Sequence, residues 1–121
     1  MFKEKLQQVI EQTEGAMGAL IMGMDGIAVE KILLPDGEDA NLDVAAAEFT
    51  TLLRSAQHSG SDTGLGLLRE FLVRFDEMNI IVRLFNREYF VILAVRPDGN
   101  LGRGRFELRK AELDLAREFA V

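Results

Sequence analysis

The chain has 121 residues, which is enough for one domain with a buried core and too few for two. Apolar residues make up 48% and charged residues 28%, so we expect an ordered globular domain and exclude extensive disorder. A formal charge of -6 disfavours nucleic-acid binding, and the absence of cysteine excludes disulfides, thiolate metal sites and thiol nucleophiles.

The start of the chain predicts an intracellular protein. Met1-Phe2-Lys3-Glu4-Lys5 leads into a polar helix rather than the apolar core of a secretory signal peptide. The longest apolar stretches, residues 16–24 and 89–95, are too short to cross a bilayer. We therefore expect a cytoplasmic localisation and no membrane span.

The first third of the chain predicts a helix followed by a β-hairpin. Residues 2–14 place apolar side chains three and four positions apart, as on one face of a helix. Two strand-like segments, 16–22 and 27–34, flank Asp25-Gly26, a dipeptide typical of hairpin turns. Residues 35–39 are rich in turn-forming residues and predict a loop.

A second helix is predicted from Asn41 or Asp43, both candidate N-caps, to about His58. Its apolar stripe comprises Leu42, Ala45, Ala46, Phe49, Leu52, Leu53 and Ala56. The alanines of this stripe would allow another helix to approach closely. Residues 59–64, Ser-Gly-Ser-Asp-Thr-Gly, predict a flexible loop.

Three strands and a third helix complete the prediction. The strands are residues 67–75, 80–85 and 89–95, and their short connections imply antiparallel pairing. The last strand is almost wholly apolar, which is typical of a central strand covered on both faces. The helix spans residues 102–119, and its candidate packing residues are Phe106, Leu108, Leu113, Leu115, Ala116 and Phe119.

No set of residues predicts catalysis or cofactor binding. Gly64-Leu65-Gly66 lacks the third glycine of a dinucleotide fingerprint and precedes a strand rather than a helix. The single histidine, His58, lies near a predicted helix end, where its positive form would be favoured, and has no second metal ligand nearby. Ser59 and Ser61 are outside any nucleophile-elbow motif.

The charged clusters also favour ordinary solvated roles. Asp36, Glu38, Asp39 and Asp43 do not have the alternating spacing of a calcium loop. Arg103 and Arg105 near the start of the last helix are too few to form a phosphate cradle. We therefore predict no catalytic, cofactor-binding or metal-binding residues, and a protein that is not an enzyme.

The third predicted strand raises a different problem. It carries large apolar residues on both sides of the ribbon, and as the first of three strands it can lie at a sheet edge. Pairing of that edge with an identical copy across a twofold axis would cover it. The alternative left open is that the strand lies inside the sheet and the second helix packs only on its own domain.

The sequence resembles the Roadblock (dynein light chain, Roadblock-type) domain family over almost its whole length. The segments that carry the resemblance are Gly18-Ala19-Leu20-Ile21-Met22 with Asp25-Gly26, Ala45-Ala46 ahead of Leu52-Leu53, Tyr89–Val95, and Asn100-Leu101-Gly102 leading into Phe106-Glu107-Leu108-Arg109. It implies an α/β (α+β) fold of order α-β-β-α-β-β-β-α. The family's five-stranded antiparallel sheet carries the second helix on one face and the terminal helices on the other.

The resemblance also implies a homodimer formed through the third strand and the second helix. The predicted dimer interface comprises Ala45, Phe49, Leu52, Phe71, Leu72 and Val73. Family members serve as motor light chains, scaffolds or regulators of small GTPases, and some bacterial members stimulate GTP hydrolysis without supplying a catalytic arginine. A Ras-like GTPase would dock on the paired second helices, here at Glu48, Thr51, Arg54, Ser55 and His58.

The expected function is therefore a non-catalytic homodimeric scaffold or regulator that binds a Ras-like small GTPase and modulates its GTP hydrolysis. A second hypothesis is a sensor or peptide-binding module of PAS-like or profilin-like type. The lack of a polar cluster along the predicted strands argues against a small-molecule pocket in such a module.

Overall fold

The computed structural model describes residues 2–35 and 41–119, and its elements follow the predicted order. Residues 36–39, which include most of the predicted loop and acidic cluster, lie outside the described residues. The elements are α1 (Phe2–Gln12), β1 (Ala16–Gly23), β2 (Ala28–Leu33), α2 (Leu42–Thr63), β3 (Glu70–Arg74), β4 (Asn79–Leu84), β5 (Tyr89–Val95) and α3 (Leu101–Glu118).

The five strands form one antiparallel sheet in the order β2-β1-β5-β4-β3. The predicted central strand, β5, pairs with β1 on one side and with β4 on the other. The third strand, β3, pairs only with β4 and lies at an edge of the sheet. The predicted fold class and the predicted position of β5 are therefore confirmed.

Each face of the sheet has its own apolar core. Val91 and Leu93 of β5 pack with α1 and α3, in a cluster that includes Leu6, Val9, Ile81, Leu108 and Leu115. Phe90 and Ile92 point to the opposite face and pack with α2, in a cluster that includes Leu20, Phe49, Leu53, Ile80 and Val82. Since both faces are covered, β5 is apolar at almost every position. Each large side chain buried there contributes about 1.5–3 kcal/mol relative to an exposed one.

The second helix is longer than predicted. It continues through Thr63, so the prediction of a flexible loop over residues 59–64 was wrong. Thr63 Oγ1 donates to the carbonyl of Ser59 at 2.7 Å, and Gly64 ends the helix in the left-handed conformation, with φ of 76°. Gly60 lets the chain fold back tightly, because a Cβ there would lie 2.5 Å from the carbonyl oxygen of Gly66. The backbone N–H groups of Leu65 and Gly66 donate to the Gly60 carbonyl at 2.9 and 3.1 Å, and these bonds fasten the end of the helix despite the weak helix propensity of the segment.

The third helix begins as its sequence suggests but turns a different side to the core. The Asn100 side chain caps it, accepting from the Arg103 backbone N–H at 2.9 Å. Of the predicted packing residues, Leu108 and Leu115 are buried, and Ala116 and Phe119 pack at the margin of the core. Phe106 and Leu113 are exposed, which makes the prediction wrong for these two. The helix buries Glu107 instead, through its ion pairs with Arg103 and Lys110.

Candidate functional site

One of the two edges of the sheet is formed by β3, from Glu70 to Arg74, and the other is formed by β2. At the ends of its ladder with β4, Phe75 N donates to Met78 O at 2.8 Å and Leu84 N donates to Arg69 O at 3.0 Å. Backbone groups of alternate residues in an antiparallel strand point the same way. The N–H and C=O groups of Glu70, Leu72 and Arg74 therefore point away from β4, toward the open side of the edge.

Apolar side chains surround this edge. Leu72 lies on the α1/α3 side of the sheet and is 43% exposed, whereas Phe71 and Val73 are half-buried against the α2 side. Phe75, just beyond the strand, is 53% exposed although its ring stacks 6.5 Å from that of Phe49. An open backbone edge combined with exposed apolar side chains is a surface that favours pairing with another chain.

The predicted interface residues of α2 fall into two groups. Leu52 is 49% exposed and is available to a second molecule. Ala45 is half-buried and Phe49 is buried in the core of its own chain. The structure thus brings α2 against β3 through Phe49 and Phe75, while Leu52 and Leu72 carry most of the exposed apolar surface within the predicted set.

The five predicted partner-binding residues, Glu48, Thr51, Arg54, Ser55 and His58, are all exposed on α2. Two of them are held by their own chain. Arg54 Nη2 donates to the carbonyl of Met24 in the β1–β2 turn at 2.7 Å, and His58 Nε2 lies 3.1 Å from Asp62 Oδ2 one turn further along the helix. The guanidinium of Arg54 is therefore held along the surface of its own chain.

An ion-pair network, which sequence reasoning missed, supports the edge from the α3 side. Arg83 of β4 lies 3.2 Å from Glu70 of β3 and 2.7 Å from Glu112 of α3, and Arg105 of α3 contacts Glu70 at 2.6 Å. The Glu70 and Arg83 side chains are only 18% and 12% exposed. The network joins β3, β4 and α3, so it sets the position of the edge strand. The only traces of this network in the sequence are the charged residues Glu70 and Arg83 within predicted strands.

Chemical groups that could catalyse a reaction do not converge in the described part of the chain. No group of three or more His, Asp or Glu side chains there could hold a metal ion. Ser59 and Ser61 are exposed on α2, and Asp43 forms an ion pair with Lys31 at 2.8 Å. Arg103 and Arg105 are paired with Glu107 and Glu70 rather than arranged around an anion site. None of the described helices is long and apolar enough to cross a membrane.

One sizeable groove, of about 670 Å³, opens between the end of α2, residues 64–69 and the β4–β5 turn. Leu67, Leu68 and Phe85 contribute its apolar surface, and Arg69 and Arg87 contribute positive charge. Sequence reasoning missed this groove because it forms only where the longer α2 meets the segment that leads into β3.

An antiparallel sheet with α2 on one face, α1 and α3 on the other, and an open β3 edge defines an α+β interaction domain. The family model for the Roadblock/LC7 domain matches residues 2–95. The chain belongs to the Roadblock/LC7 domain family, which confirms the resemblance found in the sequence.

Solved structures agree with this assignment. The chain is similar to MglC from Myxococcus xanthus, with 31% identity, a TM-score of 0.74 and 98% of each chain covered. A Roadblock/LC7 domain from Streptomyces avermitilis has 15% identity and a TM-score of 0.82, covering 98% of this chain and 97% of that one. The gliding protein MglB from Thermus thermophilus has 20% identity and a TM-score of 0.83, covering 95% and 85%. The last two similarities concern the fold alone. A comparison with curated proteins found no match.

Proposed function

We propose that this chain forms a homodimer through β3 and α2, and that the dimer binds a Ras-like small GTPase on its α2 surface and changes the rate of GTP hydrolysis. The observation that carries the proposal is the open β3 edge with its exposed apolar side chains. The GTPase as the class of partner comes from the Roadblock resemblance. The exposed side of α2 supports the proposal because it offers a polar docking surface of mixed charge.

The edge is suited to pairing with its own copy. Antiparallel pairing over the whole length of β3 about a twofold axis places Leu72 opposite its counterpart. The same register places Glu70 opposite Arg74 of the second copy, on one face of the extended sheet. Opposite charges across neighbouring strands contribute about 0.2–1 kcal/mol, and the outward backbone groups of β3 gain hydrogen bonds. The paired edges no longer offer a template for further association.

The dimer is tested by Leu72→Lys. Leu72 is exposed in the single chain, so the substitution leaves the core intact while it places a charge at the centre of the paired edge. We expect the sedimentation coefficient at micromolar concentration to fall from that of a dimer to that of a monomer. The reason is that a buried lysine would cost about 2 kcal/mol or more of association free energy. Ile27→Lys, at an exposed apolar residue beside the opposite edge, is the matched control. A variant that sediments like the unmodified protein would remove the interface assignment.

GTPase binding is tested with Glu48→Lys and Thr51→Arg on α2, with Lys3→Glu on the exposed side of α1 as control. The first two variants should weaken retention of a Ras-like GTPase from the same cell and reduce the change in its hydrolysis rate. Arg54→Ala should reduce that change only a few-fold, because Arg54 is bound to its own chain and does not act as an arginine finger. Loss of an arginine finger would lower the hydrolysis rate by a factor of about 10³–10⁵. If the unmodified protein retains no GTPase loaded with either nucleotide, the regulatory proposal is wrong.

The groove beside residues 64–69 favours a second candidate function, ligand or peptide binding by a sensor module. Its volume is within the range of small-molecule sites, and its apolar wall carries two arginines. Native mass spectrometry of the purified protein tests this candidate. A mass increment that disappears in Arg69→Ala and persists in Lys3→Ala would support it, and an unmodified mass would count against it.

A further inference from the structure

The outer surface of α3 carries two interleaved series of residues with seven-residue spacing. Phe106 and Leu113 are one heptad apart, and both are exposed, by 45% and 70%. Arg103, Lys110 and Arg117 repeat at the same interval, each three residues before or four residues after one of these apolar residues. The two rows therefore lie side by side on the helix surface. We call these five residues together with Arg109 the α3 strip.

A coiled-coil seam has two apolar positions in every seven residues, and charged residues beside them select the partner by its charge. The α3 strip repeats at the same interval but presents one apolar residue per heptad, with a cation three or four positions away, so a partner helix would contact a seam that is half apolar and half cationic. Phe106 and Leu113 lie about 10.5 Å apart along the helix axis, which corresponds to two turns of a partner helix. The described part of the chain supplies no such partner, because α1 packs against the other side of α3 through its buried residues.

The strip is cationic although the chain as a whole has a charge of -6. Glu107 is 1% exposed and is shared by Arg103 at 2.8 Å and Lys110 at 3.3 Å. Asp114 is likewise shared by Lys5 at 2.8 Å and Arg117 at 3.8 Å. Arg109 is exposed and has no ion-pair partner among the described residues. Since each of these two carboxylates is shared by two cations, one positive charge per carboxylate is not neutralised on this surface.

Apolar and cationic side chains of the α3 strip are in contact with one another. Arg103 and Lys110 hold their cationic groups 5.4 Å and 5.6 Å from the centre of the Phe106 ring. A partner side chain that packs on this ring would therefore lie between two positive charges. Acidic residues on either side of that side chain would find charge-assisted hydrogen bonds.

We propose that the α3 strip binds an acidic amphipathic helix of another protein. The partner helix would place apolar residues against Phe106 and Leu113 and Asp or Glu beside the cationic row. A second α3 is disfavoured because it would bring like charges together. An anionic membrane is disfavoured because only two large apolar side chains of α3 are exposed and the chain is acidic overall. The surface is on the opposite face of the sheet from α2, so one molecule can use both.

A designed peptide tests the proposal. The probe is a helix of about three heptads with Leu at both core positions and Glu at the flanking positions, and the comparison peptide has Lys in place of Glu. We expect saturable binding of the Glu peptide at low salt, with amide shifts in labelled protein concentrated on α3. Phe106→Glu and the double variant R109E/R117E should each weaken binding at least about tenfold, or about 1.4 kcal/mol. The controls Ile27→Glu and Lys3→Glu, at an exposed apolar residue and an exposed cation outside the α3 strip, should bind as the unmodified protein does.

Several results would overturn the proposal. These are equal binding by the strip variants and the controls, equal binding of the Glu and Lys peptides, or no binding of either peptide. Binding to phosphatidylserine vesicles that Phe106→Glu abolishes, without peptide binding, would assign the surface to a membrane instead. Conversion of a dimer to a monomer by the same variants would assign it to self-association. Unchanged circular dichroism shows that each variant is folded.

Discussion

The two faces of the sheet are covered to different extents, one by two helices and the other by one. A five-stranded sheet is about 24 Å wide, and one helix with its side chains covers about 10–12 Å of that width. On one face, α1 and α3 lie side by side, and an ion-pair network fastens α3 to β3 and β4. On the other face, α2 is the single helix packed against the core, and Val44, Leu52 and Phe75 remain exposed around it.

This difference bears on where the proposed dimer would form. The face with two helices is covered except at the β3 edge, where Leu72 is exposed, and Phe106 and Leu113 belong to the outer side of α3 rather than to the sheet. The face with one helix leaves apolar surface next to an open strand edge. In the proposed dimer, association along β3 would cover this apolar surface, whereas the proposed contact with α3 would add a separate partner.

The largest effect is expected from breaking the ion-pair network under α3. Arg83→Ala removes the cation that Glu70 and Glu112 share in a mostly buried position, so Glu112 loses this partner and Glu70 keeps only Arg105. We expect the free energy of unfolding to fall by about 2–3 kcal/mol, somewhat less than for a fully buried pair. Urea denaturation measures this loss, and Arg87→Ala at an exposed residue nearby is the control. Equal stability of the two variants would show that the network does not hold this face together.

A smaller effect is expected at the end of α2. Gly60→Ala would gain about 1 kcal/mol of helix propensity, but its Cβ would lie 2.5 Å from Gly66 O and displace the backbone there. We expect a net loss of about 1–2 kcal/mol in the free energy of unfolding. Ser61→Ala, at the next and exposed position, should change stability by less than about 0.5 kcal/mol. A stabilised Gly60→Ala variant would mean that residues 64–66 do not constrain the helix.

The smallest effect concerns the contact between α1 and α3. A hydrogen bond from Lys5, together with its charge and that of Arg117, holds the pKa of Asp114 below its usual value of 3.8. The contact therefore stabilises the folded state fully above about pH 4, and this contribution is lost as the pH falls through the lowered pKa. Asp114→Asn should lower the urea midpoint slightly at pH 6, and this difference should shrink as the pH falls through the lowered pKa of Asp114. Glu88→Gln is the exposed control, and a pH-independent difference would contradict the assignment.

Features that depend on residues close together in the sequence were predicted well, and features that depend on distant residues were not. The Asp25-Gly26 turn and the apolar run of β5 depend on nearest neighbours and on burial of a whole strand, so both were predicted closely. The family resemblance rested on short segments in a fixed order, and the family match confirms it. The dimer interface and the GTPase-binding residues remain predictions, although the structure places Leu72 and the polar side of α2 at accessible positions.

The amino-acid sequence by itself determined the order of the elements, the central position of β5 and the family, because turn chemistry and apolar patterning act over a few residues. Only the tertiary structure decided that α2 continues to Thr63 and that α3 buries Glu107 while it exposes Phe106. Which side of α3 is buried depends on the elements that pack against it, α1 and the sheet, and these are distant in sequence. The apolar pattern of a helix does not record which neighbouring element covers it, and it does not show that the buried Glu107 is stabilised by ion pairs with Arg103 and Lys110.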